Sequence, residues 1–141
     1  WGVEYTDTDG IWRVRPYWPA NTRTLGQTDA KAFIIDDPNV VFDMQETNGS
    51  GAAGTALNLA DIGLNANVYI PAGTAATGLS AATVNNASEA TTSTLNVKIL
   101  GLTPHPTNLG LGVTASAGVS FANWLVAWNT HELKSVGTTG V

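Results

Sequence analysis

The sequence predicts an all-β fold, either a small sandwich or a barrel, with long Gly-, Thr- and Ala-rich loops and at most one short helix. Short runs of β-branched and aromatic residues recur along the 141 residues, and turn-forming Gly, Pro, Asn and Asp separate them. Only one segment favours helix. A chain of this length can bury about two-thirds of its unfolded surface, so one core can hold it together.

Residues 1–31 are predicted to form an extended N-terminal arm or an edge strand, because Pro16 and Pro19 prevent a helix. Residues 11–18 alternate, with Trp12, Val14 and Pro16 on one face and Arg13, Arg15 and Tyr17 on the other. Trp, Tyr and Arg are enriched at interface hot spots. Contact with a partner is therefore preferred over core packing for Trp12, Arg13, Arg15, Tyr17, Trp18 and Arg23.

Residues 32–134 are predicted to form the β domain, which opens on a strand, a turn and a second strand in a hairpin-like pair (32–36 and 40–46). Phe42 and Met44 alternate with polar positions, which indicates one apolar face. Asp36 and Asp37 are adjacent, so on a strand they point apart and converge poorly on a metal or substrate. A turn-capping role is preferred for them, and contact with a basic partner surface is the main alternative.

The remaining elements follow from the same patterns. Residues 56–62 favour one or two helical turns, with Thr55 as N-cap and Gly63 as the stop. Residues 71–94 read as a long loop with at most a short strand, and 135–141 as a flexible tail. Further strands are predicted at 64–70, with one polar face, at 95–102, at 121–128, and around 131–133.

The tryptophans of the last long strand admit two interpretations. Trp124 and Trp128 are four residues apart and share a face with Val126, which makes a wide apolar stripe. The core is the preferred place for this stripe, and an exposed stripe is the alternative.

Reactive groups are sparse, and neither enzymatic activity, nor a cofactor, nor a bound metal is expected. The chain has no cysteine, no nucleophile elbow and no phosphate-binding glycine motif. Asp7-Thr8-Asp9-Gly10 resembles the start of a calcium loop, but Ile11 stands where a ligand is required, so a plain turn is preferred. His105 and His131 are far apart in sequence and have no cysteine near them, so they make only a weak case for a zinc site.

Charge is both low and uneven. Charged residues make up 12% of the chain, against about 25% in an average soluble domain, which favours a surface partly covered by neighbouring molecules. Residues 32–97 contain six carboxylates and no Lys or Arg. Such a stretch repels phosphate, so no nucleic-acid partner is expected. No apolar run of about 20 residues is present, so no membrane span is expected either.

Four segments together resemble the C-terminal part of the small head decoration (cement) proteins of tailed bacteriophages. They read DDPNVVFDMQE, DIGLNANVYI, ATTSTLNVKILGL and NWLVAWNTHEL, and the resemblance covers roughly residues 32–134. The Gly/Ala-rich linker at 48–55 departs from the family pattern. For the position of Trp128 the family pattern gives no firm expectation. The resemblance implies a structural virion protein on the outer surface of the phage head. Its partners would be the major capsid protein and copies of itself, as a homo-oligomer that stabilises the shell.

Two other functions would use different residues of the chain. A carbohydrate-binding or adhesive β module would stack sugar rings on Trp12, Trp18 or Trp124. A hydrolase with two carboxylates is disfavoured, because the spacing of Asp and Glu offers no obvious pair.

Overall fold

The computed structural model describes residues 2–18, 30–74, 77, 80–104, 106–108, 121–133 and 139–141. Nine strands and two short 3-10 turns lie in these ranges, so the predicted all-β class is confirmed. The chain divides into two compact units, Trp1–Asp36 with Ala72–Ala81, and Asp37–Pro71 with Ala82–Val141. Residues 32–36 therefore belong to the same unit as the N-terminal strands, whereas the sequence predicted a boundary after residue 31.

The first unit contains a three-stranded antiparallel sheet. Its strands are β1 (Gly2–Thr6), β2 (Trp12–Arg15) and β3 (Lys31–Phe33), in the order β2-β1-β3. On one face Val3 and Tyr5 are buried, and the Tyr5 ring lies 5.3 Å from the Trp18 ring. The central strand is thus held by its neighbours on both sides and by aromatic packing on one face.

The turn between β1 and β2 is the plain turn that the sequence favoured at residues 7–10. The Gly10 N–H donates to the Asp7 carbonyl at 2.9 Å, and Gly10 adopts a φ of 79°, which suits glycine. Asp9 Oδ1 accepts the Ile11 N–H at 3.0 Å. These contacts of Asp7 and Asp9 therefore stabilise the turn.

The second unit is a six-stranded sheet that closes on itself. Its strands are β4 (Val41–Thr47), β5 (Asn65–Ala66), β6 (Val68–Tyr69), β7 (Thr83–Asn85), β8 (Val97–Leu102) and β9 (Asn123–Trp128). Their order is β5-β8-β9-β4-β7-β6, with only β4 and β7 parallel. The two end strands are separated by Asn67 alone, so residues 65–69 join both edges and the sheet forms a small barrel. Asn67 is fixed there, because its N–H donates to Ser88 Oγ and its carbonyl accepts the Asn85 N–H, both at 2.9 Å.

Alternating side chains of the long strands fill the barrel core. Trp124 and Val126 are fully buried, and Trp128 packs against them and meets the Phe42 ring edge-on at 6.3 Å. The core interpretation of the tryptophan stripe is therefore confirmed. Met44 also contacts the core, which confirms the apolar face predicted for β4.

The predicted hairpin between 32–36 and 40–46 is wrong. The turn itself forms, since Asp37 Oδ1 accepts the Asn39 N–H at 2.8 Å. However, β3 ends at Phe33, four residues before Asp37, so the turn sets no register between the two strands. Instead β3 pairs with β1, and β4 makes five residue pairs with β9.

The predicted helical turns form at Leu59–Asp61, but Asn58 caps them and Thr55 does not. Asn58 Oδ1 accepts the Ala60 N–H and Asp61 Oδ2 accepts the Asn58 N–H, both at 2.8 Å, which completes a capping box. Gly63 ends this segment with a φ of 95°, as predicted.

Two strand predictions need correction. The strand predicted at 64–70 with one polar face is split into β5 and β6, because its first half pairs with β8 and its second half pairs with β7. As a result Asn65 is fully buried, with its Nδ2 donating to the Thr92 carbonyl at 3.0 Å, while Ile70 is exposed. Residues 131–133 form a turn and no strand.

The C-terminal residues 139–141 contact the barrel. The Gly140 N–H donates to the Thr91 carbonyl at 3.0 Å, and the Val141 N–H donates to the Gly63 carbonyl at 3.2 Å. The other residues of the predicted tail, 135–138, lie outside the described ranges.

Candidate partner interface

One face of the N-terminal sheet is open to solvent and carries three large apolar side chains, together with the Glu4–Lys31 ion pair. Directly opposed residues of an antiparallel pair share a face, and the pairings Thr6 with Trp12, Glu4 with Val14, and Gly2 with Phe33 define this one. The exposed fractions are 61% for Trp12, 55% for Val14 and 45% for Phe33. We call these three residues, together with Gly2, the apolar face. Several large apolar side chains exposed on one face are typical of interaction sites.

A depression of about 530 Å³ lies at this face, where Gly2 has no side chain. An added Cβ at Gly2 would lie 3.1 Å from the Arg15 carbonyl oxygen and 3.9 Å from Phe33 Cδ2, so even alanine would crowd its floor. The depression is therefore an open hollow in the surface of the sheet. Its lining residues are Gly2, Val14, Arg15, Pro16, Phe33 and Ile34.

The sequence-predicted interface residues lie on both faces of this sheet, as the alternation of residues 11–18 predicted. Trp12 belongs to the apolar face, and Arg13 and Arg15 point to the opposite one, where Tyr5 and Val3 lie. Trp18 is 49% exposed and rests against Tyr5. The structure therefore separates Trp12 from the arginines, whereas Trp18 packs against Tyr5 on the arginine side, so the predicted residues do not form one patch.

The two arginines have intramolecular partners. Arg13 Nε lies 2.8 Å from Asp7 and its Nη2 lies 2.5 Å from Asp9, so this guanidinium holds the β1–β2 turn. The Ile11 N–H, followed by Arg13, holds the pKa of Asp9 below its ordinary value. Arg15 Nη1 lies 3.4 Å from the Tyr17 hydroxyl, with the guanidinium 6.0 Å from the ring centre. For Arg13 a structural role is shown, and partner contact stays a prediction.

The other predicted interface residues are the two aspartates and Arg23. Asp36 and Asp37 are both exposed, and the hydrogen bond to Asn39 confirms turn capping for Asp37. Arg23 lies outside the described residues. Partner contact by these three residues stays a prediction.

Sequence reasoning missed the apolar residues at the end of β3. Phe33, Ile34 and Ile35 are exposed by 45%, 76% and 42%, although the sequence placed them in a hairpin strand. The signal that could have revealed them is the lack of alternation. A strand with one side in a core alternates apolar and polar residues, whereas these three are consecutive.

Glu46 is the one charged side chain among the fully buried residues of the described chain, and it lies in the barrel. Its Oε2 accepts the Leu57 N–H at 2.8 Å and Asn86 Nδ2 at 3.2 Å, while Oε1 has no hydrogen-bond partner. Burial raises the pKa of Glu46, and these two donors, followed by the nearby Trp124 indole N–H, oppose that rise. Glu46 therefore connects a loop to the barrel wall, and no nucleophile or second carboxylate of the described residues hydrogen-bonds to it.

Within the described ranges, no three His, Cys, Asp or Glu side chains gather as a metal site requires. No helix of that same part of the chain is long and apolar enough to cross a membrane. Comparisons of the chain with protein-family profiles, curated proteins and solved structures return no match. The resemblance to phage cement proteins accordingly stays a prediction.

Proposed function

We propose that this protein is a structural virion protein that binds the outer surface of a tailed-phage capsid shell and stabilises it. The observation that carries the proposal is the apolar face, on which Trp12, Val14 and Phe33 stand exposed on a regular sheet. A rigid sheet presents these side chains without a large ordering cost, which favours binding. The resemblance of residues 32–134 to cement proteins supports the same function.

The charge distribution supports the outer side of the shell. The chain carries a net charge of −5, and residues 32–97 contain no Lys or Arg. Such a surface is repelled by packaged DNA and is compatible with a protein partner. The proposed partners are the major capsid protein and further copies of this chain, with neither nucleic acid nor membrane.

Stabilisation would arise from differential binding. A protein that contacts several capsid subunits at once binds the assembled lattice and not the separated subunits, so its binding free energy adds to the stability of the shell. The apolar face supplies the contact, and the depression over Gly2 supplies a place for one partner side chain. This function requires no catalytic group and no cofactor.

We expect the protein to co-sediment saturably with purified DNA-filled heads of a tailed phage whose genome encodes the chain, and to raise the temperature at which they release DNA. Trp12→Ser should weaken this binding about thirtyfold, because an exposed tryptophan at an interface commonly contributes about 2 kcal/mol or more. The matched control is Ile70→Ser, which removes a 72% exposed apolar side chain from the barrel unit. It should bind as the unsubstituted protein does.

Two results would contradict the proposal. Folded protein that does not bind the heads would exclude shell binding. Binding to a glycan array that Trp12→Ser abolishes would then favour the carbohydrate-binding module. Equal binding by Trp12→Ser and the unsubstituted protein would remove the apolar face from the interface. Trp124 no longer serves the carbohydrate alternative, because it is fully buried.

A further inference from the structure

The last strand of the N-terminal sheet has an edge that no other described strand covers. β3 pairs with β1 on one side only, and in the described chain nothing pairs with its other side. Residues 34–37 continue beyond β3 without helix, turn or bend, and no described residue hydrogen-bonds to the backbone of Ile34 or Ile35. We call residues 31–37 the edge segment. Open edges of this kind are templates for pairing with another chain.

The composition of the edge segment makes exposure unfavourable. Its centre is Ala-Phe-Ile-Ile, with no charge, proline or glycine, and all four residues are exposed. Natural edge strands usually carry such protecting residues. Here the charges stand only at the two ends, with Lys31 at one and Asp36 and Asp37 at the other.

This arrangement of charge is self-complementary. If a second copy lies antiparallel along the edge segment, the Lys31 end of each copy meets the aspartate end of the other. The Lys31 side chain is 75% exposed although its Nζ lies 3.0 Å from Glu4, so it has room for a second carboxylate. A parallel arrangement would instead place like charges side by side.

The alternation of strand faces limits the possible registers, and the charges at the two ends of the edge segment select one of them. Directly opposed residues of an antiparallel pair must share a face, so odd positions pair with odd positions and even with even. Pairing Ile34 with Ile34 of the second copy satisfies this rule. It places Phe33 opposite Ile35 and Lys31 opposite Asp37 of the second copy.

We propose that two copies of this chain associate through their edge segments, antiparallel and centred on Ile34. The twofold axis then runs perpendicular to the joined sheet, and the interface closes after two copies. An axis in that direction leaves the apolar faces of both copies on the same side. The pair would thus present two sets of Trp12 and Val14 to one partner surface.

This pairing specifies how copies of the chain contact one another, and it rests on the proposed function, which includes self-association. Its test uses free protein without heads, so its failure is distinct from failure of shell binding. The chain has no cysteine, which makes single-cysteine variants informative.

Ile34→Cys should form a disulfide-linked dimer under mild oxidation. Ile70→Cys is the matched control, because Ile70 is 72% exposed against 76% for Ile34. The register predicts that a mixture of Phe33→Cys and Ile35→Cys yields cross-linked heterodimers in excess of the homodimers of either variant. Equal cross-linking rates for Ile34→Cys and Ile70→Cys would overturn the proposal, and an excess of Phe33→Cys homodimers would overturn the register.

Sedimentation equilibrium provides the second measurement. The unsubstituted protein should show a monomer–dimer equilibrium, and Ile34→Lys should raise the dissociation constant at least about tenfold, because it places two like charges at the twofold axis. Ile70→Lys should leave it unchanged. A protein that stays monomeric at all concentrations, or an Ile34→Lys variant that dimerises normally, would refute the pairing.

Discussion

Replacement of Trp124 by alanine is expected to destabilise the barrel by about 3–5 kcal/mol, the cost of removing a large aromatic side chain from a packed core. Trp124 is fully buried in the same cluster as Leu57, Val97 and Ile99, so its loss leaves a cavity with rigid walls. The whole stability of a domain this size is commonly about 5–15 kcal/mol. The variant should therefore be close to unfolding at room temperature.

Urea unfolding followed by circular dichroism measures this effect. Trp12→Ala is the matched control, since it makes the same substitution at a residue that is 61% exposed, and it should change the free energy of unfolding by less than about 0.5 kcal/mol. A loss below about 1 kcal/mol for Trp124→Ala would contradict the core described here.

The second large effect is expected at Glu46. Glu46→Ala removes the acceptor of the Leu57 N–H and of Asn86 Nδ2, both of which then lie buried without this partner. We expect a loss of about 2–4 kcal/mol, because unsatisfied buried donors keep their full desolvation cost. Glu46→Gln retains an acceptor oxygen and removes the buried charge, so at neutral pH it should cost far less than alanine.

The same carboxyl makes stability depend on pH. Since burial raises the pKa of Glu46 in the folded protein above its ordinary value of 4.5, the folded state binds the proton more tightly than the unfolded chain does. Its contribution to stability is therefore present below that ordinary value and is lost as the pH rises through the folded-state pKa. Glu89, whose pKa is also raised by burial, acts in the same direction.

The measurement is the free energy of unfolding at about pH 4 and about pH 8 for the unsubstituted protein and for Glu46→Gln. The difference between the two proteins isolates Glu46 from Glu89 and from the other carboxylates. A larger fall in stability with rising pH is expected for the unsubstituted protein. Parallel curves would show that Glu46 does not titrate differently in the folded state.

Local patterns of the sequence predicted individual strands well and their partners poorly. The alternation of Phe42 and Met44 and the four-residue spacing of Trp124 and Trp128 each report burial of one face, and the structure confirms both. Pairing depends on residues far apart in the chain. The turn at Asp37 predicted a hairpin between neighbouring strands. Instead β4 pairs with β9, which lies about 80 residues away in the chain and is longer than β3.

In the candidate interface, too, the sequence predicted local features and missed those that depend on strand pairing. Alternation in residues 11–18 correctly separated Trp12 and Val14 from the arginines, because it depends only on strand geometry. The contribution of Gly2 and Phe33 required knowing that β1 lies between β2 and β3. The partner of Arg13 was likewise hidden, since Asp7 and Asp9 belong to a turn whose side chains point back along β2.

The closure of the barrel through residues 65–69 has a consequence for folding kinetics. This strand can pair fully only when β8 on one side and β7 on the other are both in place, which brings Asn65 to Lys98 and Val68 to Val84. Such distant contacts make folding slow. Because the paired strands form a closed ring, residues 65–69 can leave the sheet only when the pairings on both sides break, so escape from the native state should be slow as well. Slow unfolding would suit the virion role that we propose, because a particle outside a cell depends more on slow unfolding than on a large equilibrium stability.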